Sequence, residues 1–217
     1  MEDSYKHKGL RKQLALQVKE KGISDKLVLK AIETIPRHLF LDNAFVEFAY
    51  QDKAFPIGEG QTISQPYTVA FQTELLDIKK GDKVLEVGTG SGYQTSVLLE
   101  MGAKVFTIER QKVLFDRTSS LLPKLGYLPK FFYGDGFKGL PAFAPFDKII
   151  VTAGAPLVPP DLVSQLKSGG LMVIPVGGEN DAYVMKRLTK ENESNIQIVS
   201  FGDFRFVPLL EEKEWGR

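Results

Sequence analysis

The sequence predicts an α/β fold: a mostly parallel sheet covered by helices on both faces, with an antiparallel edge and an N-terminal helical appendage. Three observations carry this expectation. Short apolar strands alternate with amphipathic helices from Thr68 to Pro175, the pattern of a doubly covered parallel sheet. A glycine-rich turn joins the first of those strands to its helix. Two further strands near the C-terminus follow one another with no helix between them, so they pair antiparallel at the edge.

Each element has its own signal. A first helix carries Lys6, Lys8, Arg11 and Lys12 on what reads as a solvated basic face. Gly22 stops it. Ser24 or Asp25 then caps a second helix, in which Leu27, Val28, Ala31, Ile32 and Ile35 recur at helical spacing until Pro36 closes the element. From Phe40 to Tyr67 the pattern is irregular and rich in Gly and Pro, which suits a functional loop. A helix follows over 68–78, then a strand over 83–87, a helix over 93–101 and a strand over 104–108. The spacing continues with a helix over 111–122, a weak strand over 130–133, a strong strand over 147–151, a helix over 160–166 and a strand over 171–175. The closing pair covers 183–188 and 196–201, around a turn at 191–195.

The 217 residues suffice for one sizeable core, and the hydrophobic (43%) and charged (25%) fractions are those of a globular chain. A net charge of +1 argues against a dedicated nucleic-acid binder. The absence of cysteine rules out disulfides, thiolate metal sites and a cysteine nucleophile. With only His7 and His38, no metal centre is expected. The residues Met1 to Lys8 lack the apolar run of a secretion signal, and nowhere does an apolar run reach the ~20 residues of a membrane-spanning helix. A cytoplasmic protein without a membrane partner is the expectation, and nothing demands more than a monomer.

The segment Val84–Thr95 carries the most information. A buried strand runs into Gly88, Gly90 and Gly92, then into a helix. Glycines at such a turn permit positive φ and let a ligand approach the backbone, and the helix N-terminus beyond offers unpaired N–H groups. Several cofactors use glycine loops, so spacing decides. The dinucleotide fingerprint is G-x-G-x-x-G, whereas here the spacing is G-x-G-x-G, with Tyr93 where the next glycine would stand. A Walker lysine is absent as well. Glu86, two residues before the first glycine, would repel a pyrophosphate but suits a cation, and S-adenosylmethionine carries an ammonium and a sulfonium. Glu109 ends the second strand, where a carboxylate can accept ribose hydroxyls. Gly134-Asp135-Gly136 ends the third, where Asp135 could accept from an adenine amino group or simply shape a turn. All three groups fall at strand C-termini, and together they resemble the Rossmann-like class I S-adenosylmethionine-dependent methyltransferases.

The fourth strand ends Val151-Thr-Ala-Gly-Ala-Pro156, small residues without a polar motif to fix an amine acceptor. A carboxylate acceptor needs no general base, because with a pKa of roughly 4 it is ionised at neutral pH. Further segments resemble one family within the class. These are Pro36–Phe40, Ala49–Asp52, Pro56-Ile-Gly-Glu-Gly-Gln-Thr-Ile-Ser-Gln-Pro66, Thr73–Leu76 and Phe204-Arg-Phe-Val-Pro-Leu209. The chain from about Gly22 to Leu209 is similar to the protein-L-isoaspartate O-methyltransferases.

That resemblance implies methyl transfer from S-adenosylmethionine, leaving S-adenosylhomocysteine, to the free α-carboxylate of L-isoaspartyl residues in damaged proteins and peptides. It implies one methyltransferase domain, with 1–67 as N-terminal helices and substrate-side loop and 68–217 as cofactor-binding sheet and C-terminal substrate strand. Ser64 falls on the family's active-site serine, as a hydrogen-bonding group rather than a nucleophile. Thr62 and Ile63 line the same cleft, and Gly88, Glu109, Asp135 and Gly136 match cofactor positions. Phe206 and Val207 present backbone groups to an extended peptide, beside Arg205, which reads equally as a surface side chain. His38 reads as structural, Asp52 as either a surface charge or a support for the loop, and Trp215 as packing. Departures from the family pattern are Gln72, a short Leu125–Lys130 turn and Asp181-Ala-Tyr183. A small-molecule O-methyltransferase, or a non-catalytic protein that binds S-adenosylmethionine, is the alternative; an NAD-dependent oxidoreductase fits the glycine spacing less well.

Overall fold

The computed structural model describes residues 3–179 and 182–210. Helix α1 (Tyr5–Glu20) starts at Ser4, whose hydroxyl accepts from the His7 N–H while His7 Nδ1 accepts from the Ser4 N–H. Its inner stripe is Arg11, Leu14, Ala15 and Val18, the i, i+3, i+4, i+7 spacing of an amphipathic helix. Arg11 therefore departs from the expected solvated face. Its guanidinium grips the Asp3 carboxylate at 2.6 and 2.9 Å and donates to the Glu33 carbonyl at 2.9 Å. Of the two candidate caps of α2 (Lys26–Thr34), Asp25 accepts from the N–H groups of Leu27 and Val28, whereas Ser24 donates to Glu74 on the next helix.

The stretch after Pro36 is less irregular than expected. It holds two 3₁₀ turns, Arg37–Phe40 and Asn43–Phe48, and a small hairpin of β1 (Phe55–Gly58) and β2 (Gln61–Ile63). Glu59 and Gly60 at the hairpin tip both have positive φ, 52° and 65°, as a two-residue turn of matching twist requires. These strands are too short, and too interrupted by Pro and Gly, to show a period. The fully buried Arg37 pins the connecting chain by donating to the carbonyls of Ala49 and Lys53 and lies over the Tyr93 ring at 4.7 Å. Burial pulls its pKa down to about 10.

Helix α3 (Pro66–Leu76) begins with a proline in its first turn, earlier than the expected Thr68. Then come β3 (Lys83–Val87), α4 (Tyr93–Glu100), β4 (Lys104–Glu109), α5 (Lys112–Lys124), β5 (Lys130–Tyr133), β6 (Phe146–Val151), α6 (Pro160–Gln165), β7 (Leu166–Glu179), β8 (Ala182–Asn192) and β9 (Asn195–Arg205). The sheet order is β5-β4-β3-β6-β7-β8-β9. The first five of these are parallel, while β7–β8 and β8–β9 are antiparallel. The antiparallel edge is as expected, but β7, β8 and β9 are much longer than their apolar cores suggested.

Side-chain alternation divides the core between the two sheet faces. Val84, Ile150 and Val173 point toward α1–α4, whereas Leu85, Val87, Ile149, Val151, Met172 and Ile174 pack with Leu162 of α6. The chain winds outward from β3 through β4 to β5, then returns to place β6 on the other side of β3. This reversal opens a crevice at the C-terminal ends of β3 and β6, where open α/β sheets bind ligands. Among the described residues no helix is long and apolar enough to cross a membrane.

Candidate active site at the strand C-termini

The crevice holds a cleft lined by the loop after β3, the tip of β4, strand β2 and residues 207–210. Gly88 stands at φ 97°, and a Cβ there would lie 2.4 Å from the Thr152 hydroxyl oxygen. The approach of β6 thus demands glycine as much as the backbone angle does. The Gly90 N–H donates to Glu109 Oε2 at 2.9 Å, and the Gln111 N–H to Oε1 at 2.8 Å. Glu109 is nearly buried and lines the cleft, and burial is the main cause that raises its pKa. The Arg110 N–H bonds this carboxylate as well, which leaves one lone pair for a hydroxyl.

Three of the expected cofactor positions, Glu86, Gly92 and Asp135, do not line this cleft. Glu86 is not among the lining residues. It is fully buried behind the loop, where Oε2 accepts from the Thr95 hydroxyl at 2.5 Å. Burial, with no cation beside it, pushes its pKa up to about 8, so near neutrality it is mostly an uncharged acid and not the anionic partner expected. Gly92 also lies off the cleft. It opens α4 at φ 83°, and a Cβ would meet Thr118 at 2.7 Å and Leu122 at 2.9 Å, so it lets α5 pack closely. Asp135 caps its own turn by accepting from the Phe137 N–H at 2.9 Å; Gly136, not Asp135, lines the cleft.

Thr62, Ile63 and Ser64 come from β2 and the residue after it, and all three line the cleft. The loop behind them is held by Asp52, which accepts from the Tyr67 N–H (2.8 Å), Gln65 Nε2 (3.0 Å) and Lys21 Nζ (2.5 Å). Of its two readings, loop support is the one the geometry bears out. A second groove adjoins the cleft and shares Thr62, Ser64, Thr152 and Val207 with it. Arg205 and Phe206 also line this groove. The Val207 carbonyl accepts from the Gly154 N–H at 2.8 Å.

Among the lining residues that escaped the sequence reading are Thr152 and Gln94. Thr152 follows β6 directly, so its place at a strand tip was the available signal. Gln94, on the first turn of α4, gave none. Its Nε2 donates to Thr73 at 3.0 Å, while Oε1 is buried without a partner among the described residues. An acceptor of this kind, in a cleft that the Glu109 carboxylate also lines, fits a ligand bearing an ammonium and a ribose. The departure Gln72 is a buried tie, donating to the Val151 carbonyl at 3.0 Å. His38 is structural, its Nδ1 2.6 Å from the Tyr50 hydroxyl. Asp181, Trp215 and the rest of the C-terminal segment from Glu211 lie outside the described residues.

Comparison with known proteins agrees with this geometry. A family model described as Protein-L-isoaspartate(D-aspartate) O-methyltransferase matches residues 9–214. A Flavobacterium johnsoniae protein named protein-L-isoaspartate O-methyltransferase is 61% identical over 98% of this chain and 100% of its own. A solved structure of the same name aligns with a TM-score of 0.83 at 29% identity, over 91% of this chain and 65% of the other, so this chain spans less than two thirds of that one. A Plasmodium falciparum structure described as a protein-L-isoaspartate O-methyltransferase in complex with S-adenosyl-L-homocysteine aligns with a TM-score of 0.81 at 27% identity, over 92% of this chain and 98% of the other.

Proposed function

We infer the reaction from one premise: the chain belongs to the protein-L-isoaspartate (D-aspartate) O-methyltransferase family. It is a repair methyltransferase, moving a methyl group from S-adenosylmethionine to the free α-carboxylate of L-isoaspartyl residues in damaged proteins and peptides. When bound, S-adenosylmethionine supplies a methyl carbon made electrophilic by its sulfonium. The backbone amide nitrogen of the following residue can then attack the ester carbonyl, expelling methanol and closing a succinimide, and hydrolysis of that ring returns some normal aspartate.

The observation that carries the reading is the junction of two cavities at Thr62, Ser64 and Thr152. One cavity suits the cofactor and the other an extended chain, and a methyl group has to cross between them. Glu109 would accept from a ribose hydroxyl, Gln94 Oε1 would accept from the ammonium, and the Gly88–Gly90 backbone and Gly136 would admit the ligand to close range. Ser64 donates a hydrogen bond to the acceptor carboxylate and orients it. An acceptor already ionised at neutral pH needs only alignment and exclusion of water, which suits a groove that holds no buried His, Asp or Glu among the described residues that line it. Arg205 and Phe206 flank the peptide. The near-zero net charge gives nucleic acid no purchase, and we place the protein in the cytoplasm as a monomer, which gel filtration checks.

The test uses methyl-labelled S-adenosylmethionine and a matched peptide pair, one isoaspartyl and one aspartyl. Label on the isoaspartyl peptide alone is expected, and equal labelling of both would sink the proposal.

A further inference from the structure

The groove beside Ser64 continues past the residues that line it. Two of those, Tyr67 and Phe204, belong to a strip of four half-buried aromatic rings laid across α3 and β9. The Phe71 ring lies 5.8 Å from Tyr67, 5.1 Å from Phe204 and 6.2 Å from Phe201. Tyr67 and Phe71 share a face of α3 because they stand one turn apart.

Phe201 and Phe204 are three apart on a strand, which in a regular strand sends side chains to opposite faces. Here Met185 pairs with Phe201 and Val184 with Asp203, so Gly202 is an extra residue in β9. This bulge turns both rings to the same side. Lys21 sits over Tyr67 at 5.6 Å and Arg187 over Phe201 at 5.6 Å, so each end of the strip is capped by a cation. The rings pack inward on the core and keep part of their surface exposed.

We propose that this strip is a recognition surface for the acceptor polypeptide, binding an apolar or aromatic side chain that flanks the isoaspartyl residue. The proposal rests on the methyl-transfer reading. The occupant follows from continuity: the strip extends the groove whose inner end holds Ser64, so the chain that places its carboxylate there runs on over Tyr67 and Phe204. Ser64, Tyr67 and Phe204 line one groove, so the favoured flanking position lies on one side of the isoaspartate and close to it in sequence. Folded proteins bury their apolar side chains, so such a strip selects isoaspartates in locally unfolded segments.

The test is a scan with the full chain and labelled S-adenosylmethionine. A single Leu or Phe is walked along both sides of the isoaspartate in a Gly/Ser host peptide. The expected result is a rise of about tenfold in kcat/KM at one or two positions on one side only, carried by KM. In Phe71→Ser and Phe201→Ser, made singly, the ratio between the best apolar-flanked peptide and the plain one falls toward one. A flat scan with active wild-type protein overturns this inference alone, as does a preference undiminished in both variants. Failure to label any isoaspartyl peptide overturns the methyl-transfer reading and the strip with it.

Discussion

The Thr152 hydroxyl lies 2.7 Å from the Gly88 carbonyl oxygen and 3.0 Å from that of Val87. This side chain ties the tip of β6 to the first glycine of the loop after β3, at the wall between the cleft and the groove. Thr152→Val keeps the shape and removes the donor. A hydrogen bond of about 1 kcal/mol makes the expected loss of S-adenosylhomocysteine affinity about fivefold, with Thr152→Ser restoring most of it. Calorimetry measures this, and unchanged affinity in the valine variant means that the backbone alone holds Gly88.

Asp52 bears on the acceptor side instead. Its carboxylate holds Gln65 and the Tyr67 N–H, the residues that follow Ser64. Asp52→Ala is expected to lower kcat/KM for an isoaspartyl peptide by about tenfold or more, since it removes hydrogen bonds worth roughly 1–3 kcal/mol together. Affinity for S-adenosylhomocysteine should barely change. Equal losses in both measurements would mean that Asp52 supports the whole fold rather than the Ser64 loop.

Glu86 makes a pH signature. Burial raises its pKa from the ordinary 4.5 to about 8, so between those values the folded protein holds a proton that the unfolded chain has released. Stability from this group therefore falls as pH rises through that window and levels off above it. Glu86→Gln carries no such proton. Urea midpoints at pH 6 and pH 9 should differ less in the variant than in the wild type, by an amount worth on the order of a few kcal/mol. Parallel pH dependence in the two proteins would show that Glu86 is ionised in the fold.

Gly92 serves packing rather than the ligand. Gly92→Ala adds a Cβ at 2.7 Å from Thr118 and 2.9 Å from Leu122, on a backbone at φ 83°. Overpacking with positive φ costs about 2–3 kcal/mol, or roughly 5–10 °C in Tm for a chain of this size. At 15 °C, where the variant is still folded, S-adenosylhomocysteine affinity should stay within about threefold. A loss of binding without a loss of Tm would return Gly92 to the cofactor site.

Local pattern alone revealed much of this molecule. Glycine spacing, carboxylates at successive strand tips and apolar runs separated by amphipathic helices are short-range signals. They located β3–β6, α4, α5 and the antiparallel edge, and the segment around Ser64 carried the family resemblance. The hairpin that bears Thr62 and Ile63 was invisible, because strands this short, with a proline and a glycine in one of them, leave no period. Its form comes from the paired positive φ of Glu59 and Gly60 and from anchors distant in sequence. One of these is Arg117, which donates to the Ile57 carbonyl at 2.5 Å.

The amino-acid sequence by itself determined the fold class, the ends of strands at which chemistry gathers, and the cofactor type that the glycine spacing admits. Only the tertiary structure decided which polar groups face the cleft. Glu86 and Glu109 look equivalent as acids at strand tips. Yet in β3 the side chain of Glu86 turns behind the loop toward Thr95 and is neutralised by burial, while Glu109 turns into the cleft. Thr152 and Gln94 became visible for the same reason. A side chain's direction depends on the register and packing of elements that meet only in three dimensions, whereas the propensity to form those elements is written along the chain.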